Sequence, residues 1–244
     1  VAIVSPDPGR LAAEWPGGLT PARLGPDDLD RLCAFHAELH AAAPESGLFV
    51  LESRDFFATH LGAGGQIIGL EGRSSALAAY TVLGLPAADA PGNFGHDIGL
   101  RGTALAAVCH FDGTGVHPDH RAHGLQRRLT ALRWSIGQAT GRSIAISAVS
   151  PRNLVSLSNM LRAGMQTVAW VGKYGDMRLM LRADAGAVAQ SGAQADRAAL
   201  DLPLSGPPEA HAELMRQGWT GTRLVPGADG PALRYLPARQ GGAA

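Results

Sequence analysis

Reactive side chains in this 244-residue chain concentrate between residues 108 and 129, VCHFDGTGVHPDHRAHGLQRRL. There Arg121-Ala-His-Gly124-Leu-Gln126 makes a polar turn between an apolar run and an amphipathic one. A turn so placed leaves backbone N–H groups unpaired at a helix N-terminus. Those groups and the helix dipole favour an anion, above all a phosphate or pyrophosphate. Arg121 adds a charged donor, and Gly124 lets the backbone come close to a ligand. His110 and Asp112 alternate along the strand pattern before the turn and so point to one face. A histidine titrates near neutrality, which suits proton transfer. His117, His120 and His123 form a His-x-x-His-x-x-His run that, taken alone, suits a metal. It crosses a turn containing Pro118, so the rings need not converge, and no metal is expected.

The elements that must position these residues follow from the pattern. Residues 1–18 are rich in Pro and Gly and read as a lead-in, and 19–24 as a first strand. Gly25-Pro26-Asp27-Asp28 opens a helix whose stripe is Leu29, Leu32, His36 and Leu39, with Cys33 and Phe35 beside it. His36 reads as a satisfied half-buried histidine. Ser53 caps a second helix reaching Leu61. Residues 66–70 and 76–83 read as antiparallel strands. A long loop, 84–103, carries His96 and Asp97. They read as solvated loop residues, with an acceptor-site role as the alternative. Residues 105–117 are the central strand, in which Gly113 and Gly115 predict a bulge or splay.

Leu125, Leu129, Leu132 and Ile136 stripe the helix after the turn. A connecting helix makes the strand at 143–149 parallel to the central one. Ser150 and Pro151 are expected to open the next helix, with Leu154, Leu157 and Leu161 as its buried stripe and Gly164 as its stop. Residues 167–174 and 177–182 close the pattern as an antiparallel pair. Residues 183–208, dominated by Ala, Gly, Gln and Pro, read as a linker or loosely packed arm. Residues 209–217 suggest a short helix, and 219–225 with 232–236 a hairpin.

Composition narrows the function. Lys plus Arg is 21 and Asp plus Glu is 21, so the formal net charge is zero. Nothing calls for nucleic acid or an anionic membrane. The two cysteines, Cys33 and Cys109, both sit in apolar surroundings and read as buried thiols. No stretch approaches a membrane span, the run with Pro6, Asp7, Pro8 and Gly9 does not read as a signal peptide, and the expected compartment is the cytoplasm.

Two motifs, in the expected order of elements, resemble the GCN5-related N-acetyltransferase (GNAT) superfamily. The first is the run 116–126, VHPDHRAHGLQ, which looks like the family's acyl-CoA turn, Arg/Gln-x-x-Gly-x-Gly/Ala. The second is the run 153–165, NLVSLSNMLRAGM, which looks like its later helix. The resemblance spans about residues 19–182 and implies an α+β fold: a central mixed, mostly antiparallel sheet flanked by helices. The division expected is a lead-in (1–18), the GNAT-like domain (19–182), the arm (183–208) and a small C-terminal helix-hairpin extension (209–244).

The activity implied is transfer of an acetyl group from acetyl-CoA to a primary amine by direct attack in a ternary complex, without a metal. The resemblance implies that the amides of Arg121, Ala122, His123, Gly124, Leu125 and Gln126 cradle the CoA pyrophosphate. It also implies that Val116 backbone polarises the acyl carbonyl, that His117 lies along the pantetheine path, and that Asn153 and Ser156 touch the CoA arm. His110 stands where histone-type members carry a glutamate base, so the expectation is His110 as base with Asp112 orienting it or binding a cationic acceptor. The chain departs from the pattern at Gln126, where Gly or Ala is usual, and at Met160, where many members carry an acidic Tyr. Tyr174 is the candidate substitute, with a structural strand role as the alternative. The acceptor is a small-molecule amine or a peptide, and residues 184–244 cover the acceptor side or form a homodimer contact. The competing readings are a non-catalytic acyl-CoA-binding or sensor module, and a transferase using a longer acyl-CoA.

Overall fold

The computed structural model describes residues 15–43, 48–72, 76–185 and 199–237. The expected lead-in before Trp15, the turn at 73–75, half of the expected arm (186–198) and the end of the expected extension (238–244) lie outside them. The chain divides into two compact units, Val1–Ser147 and Ala148–Ala244.

In the first unit the elements run β1 (Thr20–Arg23), α1 (Leu29–Ala41), α2 (Arg54–Leu61), β2 (Gly65–Glu71), β3 (Leu77–Gly84), a helical turn α3 (Thr103–Ala106), β4 (Val108–Val116), α4 (Leu125–Ala139) and β5 (Ile144–Val149), which crosses the unit boundary. The strands lie in the order β1-β2-β3-β4-β5. Neighbours are antiparallel except β4 and β5, which pair in parallel as the intervening helix requires. One core joins Leu32, Phe35 and Leu39 of α1 with Phe57 and Leu61 of α2, against Ile67, Tyr80 and Val82. Burying each such side chain contributes about 1.5–3 kcal/mol. Ser53 caps α2 by accepting the Phe56 amide at 3.1 Å, as its place before the helix predicts. The stripe Leu125, Leu129, Leu132 and Ile136 is the buried face of α4.

Sequence and structure part company at β4. It begins at Val108, and Leu105 belongs to α3 instead. The expected bulge is present: Thr81 pairs Thr114 and Leu83 pairs Phe111, so Asp112 and Gly113 together oppose Val82. Gly115 is a packing glycine, because a Cβ there would stand 2.5 Å from both Leu39 Cδ1 and Tyr80 Cε1. The loop 84–103 folds partly into a 3-10 turn, His96–Ile98.

The second unit runs α5 (Leu154–Arg162), β6 (Gln166–Lys173), β7 (Asp176–Asp184), β8 (Leu200–Pro203), α6 (Pro208–Arg216), β9 (Trp219–Gly227) and β10 (Gly230–Pro237). Its strands lie in the order β7-β6-β9-β10-β8, with antiparallel pairs throughout. Two expectations need correction. Asn153, not Ser150, caps α5: its Oδ1 accepts the Ser156 amide at 3.0 Å, while Ser150 Oγ accepts the Arg152 amide in the preceding turn. The helix therefore starts later, its buried residues are Leu157, Met160 and Leu161, and Leu154 is exposed. The expected arm is also not all arm, since β8 pairs β10 from Leu200↔Tyr235 to Pro203↔Ala232. Its few residues draw on a partner strand far along the chain, a signal that local composition does not carry.

Candidate active site

The pairing of β4 with β5 runs from Val108↔Ile144 to His110↔Ile146. Ser147 Oγ still donates to the Phe111 carbonyl at 2.8 Å, and beyond it β4 runs on to Val116 with no further β5 pair among the described residues. Its other edge remains paired with β3 as far as Ala79↔Val116. The strand thus parts from its neighbour just before the polar turn. The turn brings Arg121 back onto β4, where its Nε donates to the Val116 carbonyl at 3.2 Å. The Arg121 amide is occupied by the Pro118 carbonyl at 3.1 Å, which leaves the outward donors to begin at Ala122. Ala122 and Gly124 hold φ of 65° and 71°, left-handed values that glycine reaches freely and alanine does not. From there the chain enters α4, whose first turn closes with the Arg128 amide donating to the Gly124 carbonyl at 3.2 Å. This is the arrangement an oxyanion of pyrophosphate fits. His117 is pinned beside it: Nδ1 accepts the Asp119 amide at 3.3 Å and Nε2 lies 3.4 Å from Glu38 Oε1. His123 Nδ1 is 3.4 Å from the His120 carbonyl. Among the described residues no group of His, Cys, Asp and Glu is set to hold a metal ion.

His110 and Asp112 share one face of β4, as their spacing predicts. A Cβ on Gly84 would meet both Asp112 Oδ2 and His110 Cβ. Asp112 Oδ1 lies 3.7 Å from His110 Nδ1, and Oδ2 lies 3.2 Å from His60 Nε2 on α2. His110 is buried and its ring stacks on Phe94 with centroids 3.9 Å apart. Its Nε2 accepts the Phe94 amide at 2.9 Å. Accepting there puts the ring proton on Nδ1, facing Asp112. A base needs a lone pair within reach of the proton it takes, and this histidine's lone pair is already engaged. His110 therefore anchors the 84–103 loop to β4, a role that the motif could not reveal.

Nothing in the sequence around His60 marks it as a site residue. Its Nδ1 faces the Phe56 carbonyl at 2.7 Å, so that nitrogen donates. Burial alone would lower its pKa, but the hydrogen bond and charge of Asp112, with the Phe56 carbonyl and Glu52, outweigh burial and raise it. His60 and Asp112 thus make a hydrogen-bonded pair in which the charged form of the ring is favoured. Glu52, next to the Ser53 cap of α2, feels the charge of both. Burial first, and the charge of Asp112 second, push its carboxyl up to about 7, with His60 opposing. Space for this cluster comes from two strand glycines: a Cβ on Gly65 would meet the Leu83 carbonyl and stand 2.8 Å from His60 Cδ2, and one on Gly84 would strike Asp112. A glycine inside a strand marks close approach, and Gly65 and Gly84 were the available signal.

Behind the sheet, Arg133 of α4 is buried, with Nη1 3.3 Å from the Val82 carbonyl and 3.4 Å from that of Gly113, and Nη2 3.3 Å from Thr130 Oγ1. It serves the carbonyls disturbed by the bulge. Desolvation lowers its pKa to about 10, against the pull of Asp112 and Cys109. Cys109, buried on the α4 face, has its thiol pushed up to about 12 by burial and is inert as a nucleophile. Cys33 is half-buried and, like Cys109, unpaired.

In the second unit Met160 is buried within α5. Tyr174 is exposed in the β6–β7 hairpin turn with φ 58°, followed by Gly175 at φ 73°. Consecutive positive φ angles are what a two-residue hairpin demands. Asn153 is committed to its cap, and Ser156 supplies the amide it binds.

No family model matches the sequence, and no curated relative does. Solved structures do. A GNAT-family acetyltransferase from Listeria monocytogenes is 13% identical, with a TM-score of 0.52 over 69% of this chain and 96% of that one. The ribosomal-protein-S18-alanine N-acetyltransferase from Escherichia coli is 14% identical, with a TM-score of 0.52 over 72% of this chain and 97% of that one. A putative acetyltransferase from Salmonella typhimurium, solved with its cofactor acetyl-CoA, is 12% identical, with a TM-score of 0.50 over 68% of this chain and 93% of that one.

Proposed function

From a chain with the fold of the GCN5-related N-acetyltransferases, we propose an enzyme that moves an acetyl group from acetyl-CoA to a primary amine by direct attack. One observation carries the reading: β4 leaves β5 after His110 and runs directly into the turn that opens α4. The amides from Ala122 to Gln126 receive the pyrophosphate, with the Arg121 guanidinium beside them. The freed main chain of β4 up to Val116 directs donors at the acyl oxygen, where charge develops, and His117 borders the pantetheine path. Asp112 faces the acceptor side and its carboxylate favours a cationic amine there. The acetyl-CoA bound in the Salmonella neighbour supports the donor.

The reading of a non-catalytic acyl-CoA-binding module has one observation in its favour, the buried Met160 where family members carry an acidic Tyr. Thiol release decides between them. Wild-type protein given acetyl-CoA and a panel of primary amines and peptides should liberate free CoA with at least one acceptor. Tight CoA binding with no thiol from any acceptor supports the binding module instead.

A further inference from the structure

The pattern of the second unit occurs twice. A step of 54 residues separates Thr167 of β6 from Gly221 of β9. The same step carries α5 (Leu154–Arg162) onto α6 (Pro208–Arg216), both nine residues long. It carries the end of β6 at Lys173 onto the end of β9 at Gly227, and the start of β7 at Asp176 onto the start of β10 at Gly230. It also carries 146–149, the end of β5, onto β8 (Leu200–Pro203). Strand register follows. Thr167↔Leu181, Val171↔Arg178 and Lys173↔Asp176 in the first hairpin become Gly221↔Tyr235, Val225↔Ala232 and Gly227↔Gly230 in the second. Even the irregularity repeats, with one unopposed residue at Val168 in β6 and at Thr222 in β9. Gly164 and Gly218 follow the two helices with φ of 91° and 82°. Two unrelated hairpins have no reason to share a bulge at the same position.

We propose that residues 200–237 act as an internal partner: a second, partial copy of residues 146–183 that docks on the outer edge of β6 as another chain would, and closes that edge to self-association. The copied stretch begins after the turn at 121–126, so it duplicates scaffold and not the pyrophosphate seat.

The two copies meet as a two-fold pair. β6 and β9 are equivalent strands, they run antiparallel, and the residues that pair are equivalent positions, Thr167↔Gly221. The packing is reciprocal, with α6 on β6 and α5 on β9. A surface that meets its own counterpart in this way is the signature of an isologous interface, here built within one chain. At the axis the second copy carries the smaller residue. The Gly221 amide donates to Thr167 Oγ1 at 3.0 Å, and a Cβ on Gly221 would strike that oxygen and stand 2.7 Å from Leu233 Cδ2. The Trp170 ring of β6 rests against His211 of α6, with centroids 4.5 Å apart. His211 and Tyr235 stand where the first copy has the buried pair Leu157 and Leu181. His211 Nε2 faces the Pro203 carbonyl at 3.0 Å, so that nitrogen donates, and Nδ1 accepts from Tyr235 Oη at 2.8 Å. Two apolar core positions of the first copy are thus a polar clamp on β8 in the second. An unpaired strand edge is a template for another chain. A segment of the same chain competes for it at a millimolar effective concentration, so the internal copy holds the edge.

The test is the mass of the full chain in solution, by sedimentation velocity, for wild type, Gly221→Val and Thr220→Val. Valine at 221 forces β9 off β6. Gly221→Val should associate to about twice the wild-type mass as concentration rises, while Thr220→Val, on the opposite face of β9, should sediment as wild type does. The edge itself is read with Thr167→Cys in a chain without its own thiols (Cys33→Ser, Cys109→Ala). If two chains paired their β6 edges in this register, residue 167 of each would meet its counterpart, and oxidation would link them. Thr167→Cys in the otherwise intact chain should give no linked dimer, and adding Gly221→Val should give one. The proposal is overturned if Thr167→Cys alone links two chains, or if Gly221→Val stays folded and keeps the wild-type mass. Should Gly221→Val fail to fold, Thr167→Cys alone decides. None of these readouts involves CoA, so failure of the transferase reading leaves them unchanged.

Discussion

At the residue scale, motif position and residue role diverge at His110. Its place before Arg121 matches a base, but the lone pair a base requires is bonded to a backbone amide, a fact that depends on a loop folding back from 84–103. His110→Gln should therefore disturb stability more than the pH profile of transfer, read by urea unfolding beside kcat/KM. Arg133 presents the opposite case, a buried cation legible only as one more polar residue in an amphipathic helix. Arg133→Met should cost about 2–4 kcal/mol in urea, because two bulge carbonyls lose their charged donor. Asn153 carries two readings that one variant separates. As a cap, Asn153→Ala costs about 1 kcal/mol of stability. As a contact to the CoA arm, it also raises the KM for acetyl-CoA, and an unchanged KM would assign the residue to capping alone.

At the scale of elements, periodicity and end signals defined α1, α2, α4, the antiparallel strands and the parallel β5. These elements bury one clear face and carry their own caps. The start of α5 misled because Ser-Pro is an equally good opening three residues too early, and β8 escaped notice because a four-residue strand takes its stability from β10. The meeting of α2 with β3 and β4 was invisible for a related reason. His60 and Asp112 lie 52 residues apart, and only the two glycines between them hint at the approach. Gly84→Ala puts a methyl where Asp112 Oδ2 stands. It should cost about 1–3 kcal/mol by overpacking and reduce kcat, with acetyl-CoA affinity by calorimetry left within a few fold.

For the whole molecule, the buried titrating groups oppose one another across neutral pH. His36 and His211 are held neutral, their pKa values lowered first by burial. Unfolded, each takes up a proton below about 6.5, so their contribution is lost as pH falls. Glu52 and His60 have raised values. The fold then holds protons that the unfolded chain has released, and stability falls as pH rises, from about 4.5 to 7 for Glu52 and from about 6.5 upward for His60. On the acid side His36 and Glu52 oppose one another and His211 adds to His36, while on the alkaline side His60 acts without them, so stability should fall as pH rises above about 7. A urea series across pH 4.5–9 checks this, and His60→Gln should flatten the alkaline limb. Among the described residues no helix is long and apolar enough to cross a membrane. The central claim is the seat for a pyrophosphate where β4 meets α4, and calorimetric titration of the intact protein with CoA and with pantetheine, which lacks the pyrophosphate and nucleotide, tests it most directly. The account predicts that CoA binds and that pantetheine binds about a hundredfold more weakly, the loss of two charge-assisted hydrogen bonds. Equal affinity for the two, or no heat from CoA, would contradict it.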